Sequence, residues 1–266
     1  MRRRDPDGEA ATLTCSILTL AALAFLCEYV DSTLGMGYGT TLSPLLVVMG
    51  LDPRVAVSGI LFSEFLTGVT AGVFHHEFGN VDFNSRSRDL RVALVLAACS
   101  ILGSALAVII SLNLPTRVIK LYIGLLVASM GLLILSGYRG TGGFSWRKIL
   151  ALGVAASFNK AVSGGGYGPL IVSGQVLSGI EGKRAVGITA LAEGLTCLAS
   201  LLLYATLGTE VFDARVWGAL AVGAVSSTPL AAFSVKKFRK KAFERFVGLL
   251  TLALGVLTMV KVLSLA

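Results

Sequence analysis

Long apolar segments separated by short polar or glycine-rich connections make up almost the whole chain. A helix needs roughly 20 mostly apolar residues to cross a hydrocarbon layer about 30 Å thick. Eight segments approach or exceed this length: Leu13–Leu34, Arg54–Phe74, Leu90–Ser111, Thr116–Ser136, Arg147–Ser163, Lys183–Leu207, Ala214–Val235 and Ala242–Leu263. Thr40–Met49 and Pro169–Ser178 are apolar but too short to cross alone as helices, which rise about 1.5 Å per residue. The pattern predicts an all-α polytopic membrane protein.

The composition agrees with this prediction and excludes an ordinary soluble domain. Hydrophobic residues make up 55% of the 266 residues and charged residues only 14%. A soluble domain carries about a quarter charged residues because water must wet its surface. The net charge of +8 comes without a basic and aromatic patch. We therefore predict the lipid bilayer as a partner and no nucleic acid.

One sequence pattern occurs twice, 129 residues apart. Residues 35–67 align without a gap on residues 164–196, with eleven identical positions. The identical positions include Tyr38 and Tyr167 between two glycines, and a glutamate in the following span, Glu64 or Glu193. Because chance does not place glycine, tyrosine and glutamate in one register twice, the chain is predicted to be a duplicated module.

A weaker similarity extends the repeat beyond this core. Tyr122–Leu126 resembles Phe246–Leu250 at a slightly different offset. We therefore predict two transmembrane repeats, residues 13–137 and 145–264, within a single integral membrane domain. A short glycine-rich linker, 137–143, joins them.

The relative orientation of the repeats depends on the two short segments. If each glycine cluster and its short helix cross the membrane, each repeat has five crossings, and the odd number inverts the second repeat. With the N-terminus outside, fourteen of the 23 lysines and arginines then face the cytoplasm, as the positive-inside rule favours. These are Arg86, Arg88, Arg91, Arg139, Arg147, Lys148, Lys183, Arg184, Lys236, Lys237, Arg239, Lys240, Lys241 and Arg245. If the short segments re-enter instead, the repeats are parallel, and the basic loops 139–148 and 236–245 lie on opposite faces. We favour the inverted arrangement.

Two glutamates are predicted to lie near the middle of the bilayer. Glu64 lies ten residues after Arg54, and Glu193 ten after Lys183, which is about 15 Å at helical rise. A charged carboxylate at that depth costs at least about 2.5–3.5 kcal/mol unless it is neutralised, paired or hydrated. The threonines three residues later on the same face, Thr67 and Thr196, are candidate hydrogen-bond donors. We interpret these four residues as coupling residues; the alternative is a protonated glutamate with a purely structural hydrogen bond.

The two glycine clusters, Gly35–Gly39 and Gly164–Gly168, lower helix propensity where the chain is still apolar. Pro169 suits the first turn of a helix, so each cluster is predicted to be a break from which a half-helix begins. A half-helix N-terminus presents unpaired N–H groups and a partial positive charge that suit an anion. The alternative is close helix packing through small residues. The substrate-binding candidates here are Gly37, Tyr38, Gly39, Thr40, Gly165, Gly166, Tyr167 and Gly168.

Lys160 is a basic residue well inside an apolar segment, and its counterpart in the first repeat is Asp31. One hypothesis is that Lys160, with Asn159, meets an anionic substrate while Asp31 takes part in coupling. The alternative is a structural ion pair between Lys160 and Asp31 across a pseudo-twofold axis. Glu28, one helical turn before Asp31, is expected at the membrane interface or paired with a basic group.

At these residues the chain resembles the sulfite exporter TauE/SafE family, also called the toluene-sulfonate uptake permease family. The resemblance rests on Gly35–Gly39 with Pro44, on the turn Asp52–Val57 before Glu64, on Gly164–Pro169 and on Gly182–Thr189. It covers nearly the whole chain. It implies a multi-pass transporter of the cell (inner) membrane, with sulfite, sulfoacetate or another organosulfur anion as substrate.

Together these observations predict a secondary transporter that exports or imports a small sulfur-containing anion, with coupling through the midplane glutamates. A passive anion channel or a non-transporting membrane scaffold is the alternative. We predict no enzymatic activity, because Ser163 has no histidine at its depth and no phosphate-binding loop occurs. We predict neither a cofactor nor a metal, and we leave homo-oligomerisation open.

Overall fold

The computed structural model describes residues 17–137, 145–206, 212–235 and 240–264. Within them it contains ten helices and no strand. In chain order these are α1 (Ile17–Leu34), α2 (Tyr38–Val48), α3 (Pro53–Glu77), α4 (Arg88–Asn113), α5 (Thr116–Ser136), α6 (Trp146–Ser163), α7 (Tyr167–Leu177), α8 (Gly182–Thr206), α9 (Ala214–Ser234) and α10 (Lys240–Ser264). The predicted all-α fold is confirmed, and each of the ten predicted segments corresponds to one helix. Arg2–Arg4, the linker after Gly137 and Lys236–Arg239 lie outside the described residues.

Short polar residues set several of the helix starts. The Asp52 carboxylate accepts a hydrogen bond from the backbone N–H of Arg54 at 2.8 Å, and Pro53 occupies the first turn of α3. The Ser87 hydroxyl accepts from the N–H of Leu90 at 3.1 Å at the start of α4. These caps satisfy N–H groups that have no partner within the helix. They explain why long apolar sequence divides into separate helices at these points.

Six described helices are long and apolar enough to cross a membrane: Ile17–Leu34, Pro53–Glu77, Arg88–Asn113, Thr116–Leu133, Gly182–Thr206 and Ala214–Ser234. The 18-residue helix α6 carries Arg147, Lys148 and Lys160 and is more polar than these six. Large apolar side chains point away from the protein, among them Leu18, which is 79% exposed, and Val222, which is 71% exposed. Such side chains need a lipid environment. The chain is therefore a multi-pass membrane protein.

The helices of the two halves pack mainly on one another. Helix α1 packs on α9, and α6, its counterpart in the predicted second repeat, packs on α4. Helix α3 packs on α8, and α5 on α10. This exchange of partners is what a twofold relation between two repeats would produce. The repeat boundaries and their inversion nevertheless remain predictions.

Polar contacts between helix ends show which ends lie together. The Arg184 guanidinium at the start of α8 forms a salt bridge of 2.6 Å with Asp89 at the start of α4. The Trp217 indole near the start of α9 donates to the Ser58 hydroxyl near the start of α3 at 3.2 Å. The inverted arrangement places both ends of each pair on the same face, whereas parallel repeats would place them on opposite faces. The geometry therefore favours inversion as the prediction to test.

Candidate functional site

Both predicted glycine breaks are present at the centre of the molecule. Gly35 and Gly37 separate α1 from α2 with φ angles of +74° and +135°, and Gly164 and Gly166 separate α6 from α7 with +74° and +80°. Residues with a Cβ avoid this left-handed region, so the glycines allow the chain to leave one helix and begin the next. Neither α2 nor α7 has a side-chain hydrogen bond at its N-cap glycine. Tyr38 and Tyr167, the first residues of the two half-helices, are fully buried, so the half-helices begin in the protein interior.

The two breaks pack directly against each other. A Cβ added to Gly168 would lie 2.5 Å from the Gly35 carbonyl oxygen, and one added to Gly165 would lie 2.7 Å from the Thr40 nitrogen. A Cβ added to Gly39 would collide with the backbone of Gly164 and Gly165. Close packing, which the sequence left open as the alternative, therefore accounts for Gly39, Gly165 and Gly168.

The N-terminus of α2 faces a carboxylate of the protein itself. The backbone N–H of Tyr38 donates to the Asp31 carboxylate at 3.1 Å. A negative charge is favourable there because the N–H groups and the helix dipole are positive. The counterpart of Asp31 before α7 is Lys160, so the second half-helix has no equivalent acidic residue. The two predicted anion-binding N-termini are therefore not equivalent.

Lys160 lies between the two glutamates that the sequence singled out. Its ammonium group contacts the Glu193 carboxylate on α8 at 2.6 Å and also pairs with Glu64 on α3. Lys160 is fully buried, and both glutamates are buried with it. Asp31 is not one of its ion-pair partners, so the structural alternative that paired Lys160 with Asp31 is wrong. This three-residue ion-pair cluster joins both halves of the molecule at their centre.

Further carboxylates surround the cluster. Oxygen atoms of Asp31, Glu64 and Glu193 lie within 4.8 Å of one another. Glu28 lines the same cavity, whose volume of about 10 Å³ gives room for about one water molecule. Four carboxylates therefore surround a cavity beside one ammonium group. At this depth the excess negative charge has to be neutralised, by protons or by a small cation.

Glu28 differs from its prediction. It was expected at the interface or beside a basic group, yet it is buried beside the cavity, and its Oε1 accepts a hydrogen bond of 2.6 Å from Ser32. Its position one helical turn before Asp31 was the only signal for this placement. The buried oxygens Glu28 Oε2, Glu64 Oε1 and Glu193 Oε2 find no hydrogen-bond partner among the described residues. Such oxygens are suited to receive protons.

The two repeated tyrosines fix the glutamate helices against the half-helices. The Tyr38 hydroxyl lies 2.7 Å from the hydroxyl of Ser63, the residue that precedes Glu64 on α3. On the other side the Thr196 hydroxyl lies 3.4 Å from the Tyr167 hydroxyl. These contacts connect the start of each half-helix to the helix that carries the neighbouring glutamate.

The contacts of the remaining residues predicted for the site differ from one residue to the next. The Thr196 hydroxyl donates to the Ala192 carbonyl oxygen at 2.8 Å, so the predicted hydrogen bond to Glu193 is not formed. Thr67 lines the carboxylate cavity together with Glu64, and its role in coupling stays a prediction. Asn159 accepts a hydrogen bond of 2.6 Å from Tyr122 and links α6 to α5. The buried Thr40 hydroxyl has no partner among the described residues. Gly37 and Gly166 provide the turns.

Comparison with known proteins shows the family and agrees with a multi-pass membrane protein. The model of the sulfite exporter TauE/SafE family matches residues 20–258. The probable membrane transporter protein YtnM of Bacillus subtilis is 28% identical over 246 residues, which cover 87% of this chain and 79% of the relative. The sulfite exporter TauE/SafE family protein 5 of Arabidopsis thaliana is 30% identical over 126 residues, 47% of this chain and 27% of the relative. The probable membrane transporter protein YunE of Bacillus subtilis is 26% identical over 129 residues, 48% of this chain and 45% of the relative.

Proposed function

Because the chain belongs to the sulfite exporter TauE/SafE family, we propose that this multi-pass membrane transporter moves a small sulfur-containing anion, sulfite or an organosulfonate, in a proton-coupled manner. Two long matches support membrane transport as the class of function. The family model spans most of the chain, and the relative YtnM is named as a probable membrane transporter. The substrate class is taken from the family and from the name of the Arabidopsis relative. Transport takes place across the cell membrane.

The observation that carries the coupling proposal is the position of Lys160 between Glu64 and Glu193. A buried ammonium group is a strong site for an anion, because little water competes for it. Here two carboxylates already contact it. An anionic substrate can therefore bind Lys160 only when at least one glutamate is neutralised or moves away.

Protonation of a glutamate provides that neutralisation. A proton on Glu64 or Glu193 removes one negative charge beside Lys160 and leaves the ammonium group free to attract the substrate. By linkage, anion binding then favours protonation of the glutamates to the same degree. The anion and the proton would thus bind together and be released together. The acidic neighbours Asp31 and Glu28 offer a path for the proton through the same cavity.

The geometry also requires a conformational change. A cavity with room for about one water molecule cannot hold a sulfonate. Helices α3 and α8 must therefore separate before the substrate reaches Lys160. They cross at Gly68, where an added Cβ would lie 2.5 Å from the Gly194 Cα, so the helices are in backbone contact there. A closed centre supports alternating access over the passive channel.

Transport by purified protein in liposomes tests this proposal. The anions sulfite, sulfoacetate and thiosulfate are supplied in turn, beside taurine as a sulfonate without net charge, with and without a proton gradient across the membrane. We expect one of these anions to accumulate against its own gradient when protons flow in the same direction. Flux that only equalises the anion concentrations would indicate a channel. Absence of flux for every anion in a correctly folded preparation would favour a scaffold.

A further inference from the structure

A second pocket lies at one end of the helix bundle, away from the buried cluster. Its walls come from the end of α2, the start of α5 and the last turns of α10, and its volume is about 220 Å³. A water molecule in the liquid takes about 30 Å³, so this pocket has room for a polyatomic ion with part of its hydration shell. The pocket therefore differs from the central cavity in size.

The charges of the two sites differ in sign. Arg117, Lys120 and Lys261 line the pocket, and no acidic residue is among its lining residues. Arg117 and Lys120 are three residues apart on α5 and so share one helical face. Neither has a carboxylate partner among the residues that the structure describes. The three cations thus face one space without compensation.

Lys261 is held in place by the neighbouring half-helix. Its ammonium group donates to the carbonyl oxygen of Val48, the last residue of α2. The last carbonyls of a helix have no partner within it and carry partial negative charge, so a cation is favourable there. An ammonium group has three hydrogens, and this contact uses one of them. Lys261 can therefore bind a further acceptor from a fixed position.

By contrast, Arg184 at the opposite end of the bundle is neutralised. It binds both oxygens of the Asp89 carboxylate through its guanidinium group. The pocket beside α10 lacks such a carboxylate. Convergence of positive charges without a counter-charge is unfavourable, and a bound anion with several oxygens would remove that cost.

We propose that the pocket formed by Arg117, Lys120 and Lys261 is a binding site for an oxyanion group, a sulfonate, sulfate or phosphate. Three basic side chains from two helices match the several oxygens of such a group. The group could belong to a free anion in solution or to the headgroup of an anionic lipid, since basic pockets between membrane helices bind both. The site is independent of the central cluster and of proton coupling.

Binding of inorganic sulfate to the detergent-purified protein tests the soluble source. Titration calorimetry compares sodium sulfate with sodium chloride at matched ionic strength. We expect sulfate binding to weaken at least about tenfold in Arg117→Gln and in Lys120→Gln, because each removes a charged hydrogen-bond donor. Lys148→Gln is the matched control, since Lys148 is an exposed lysine at the start of α6 outside the pocket. The control should bind sulfate as the wild type does.

The lipid source is tested with delipidated protein and native mass spectrometry. Phosphatidylglycerol is compared with phosphatidylcholine, which has no net charge. Retention of phosphatidylglycerol that is lost in Arg117→Gln and Lys120→Gln, but not in Lys148→Gln, would support the site with a lipid as its ligand. The proposal is overturned if neither sulfate nor phosphatidylglycerol binds. Equal binding in all three variants would overturn it as well.

Discussion

Replacement of Lys160 by methionine provides a sharp test of the ion-pair cluster. The substitution keeps much of the side-chain volume but removes the ammonium group between Glu64 and Glu193, which are both buried. Removal of one partner from a buried ion pair costs about 3–5 kcal/mol. Glu64 retains a weak contact of 3.7 Å with the Cys197 thiol, whereas Glu193 retains no partner among the described residues. We therefore expect Lys160→Met to lower the free energy of unfolding by about 3–5 kcal/mol.

The partners of Lys160 predict which second substitutions restore stability. Glu64→Gln and Glu193→Gln, combined with Lys160→Met, remove both uncompensated charges and should recover most of the loss. Asp31→Asn combined with Lys160→Met should recover less of the loss, because Asp31 lies within 4.8 Å of the two glutamates but contacts the start of α2 rather than Lys160. Denaturant unfolding in micelles, followed by tryptophan fluorescence, measures all four proteins. If Asp31→Asn restored stability as well as the two glutamine substitutions, or if Lys160→Met were as stable as the wild type, this reasoning would be refuted.

Three further predictions concern the frame around the site. If the repeats are inverted, reporters fused at Gly142 and Lys240 both report the cytoplasm and one after Ala266 reports the outside; opposite faces for Gly142 and Lys240 would indicate parallel repeats. Gly68→Val should abolish folding, because an added Cβ meets the Gly194 backbone at 2.5 Å, whereas Gly218→Ala, with nothing within 4 Å, should change the thermal midpoint little. Arg184→Gln should cost about 1–2 kcal/mol in denaturant unfolding because it leaves the buried Asp89 without its cation; a loss equal to that of the exposed control Arg91→Gln would contradict this contact.

The helices and the two helix breaks can be predicted from local sequence. Apolar segment length predicts the helices, and the glycine clusters predict the two breaks, because both depend on residues close together in the chain. The repeat offset also singles out Glu64, Glu193 and Lys160 as buried charges. Their depth is a property of one helix at a time, so sequence alone could give it.

The partners of these charges depend on how distant helices pack. The offset of 129 residues aligns Lys160 with Asp31 and suggested that they pair, but the packing of α6 beside α3 and α8 places Lys160 between the glutamates instead. Glu28 could not be assigned to the cavity until the face of α1 was known. The pocket that Arg117 and Lys261 share depends on the contact of α5 with α10, which the sequence does not show.

The central claim is that protonation of Glu64 and Glu193 controls whether Lys160 can bind the anion. Its most direct test is the affinity for an organosulfonate, whose own charge does not change, measured by calorimetry from mildly acidic to mildly basic pH. In the wild type we predict that affinity rises as pH falls, since neutral glutamates leave Lys160 free. In Glu64→Gln with Glu193→Gln, glutamine resembles the protonated acid, so affinity should equal that of the wild type at low pH and should not change with pH. If the double variant kept the pH dependence of the wild type, or lost binding at every pH while remaining folded, the claim would be contradicted.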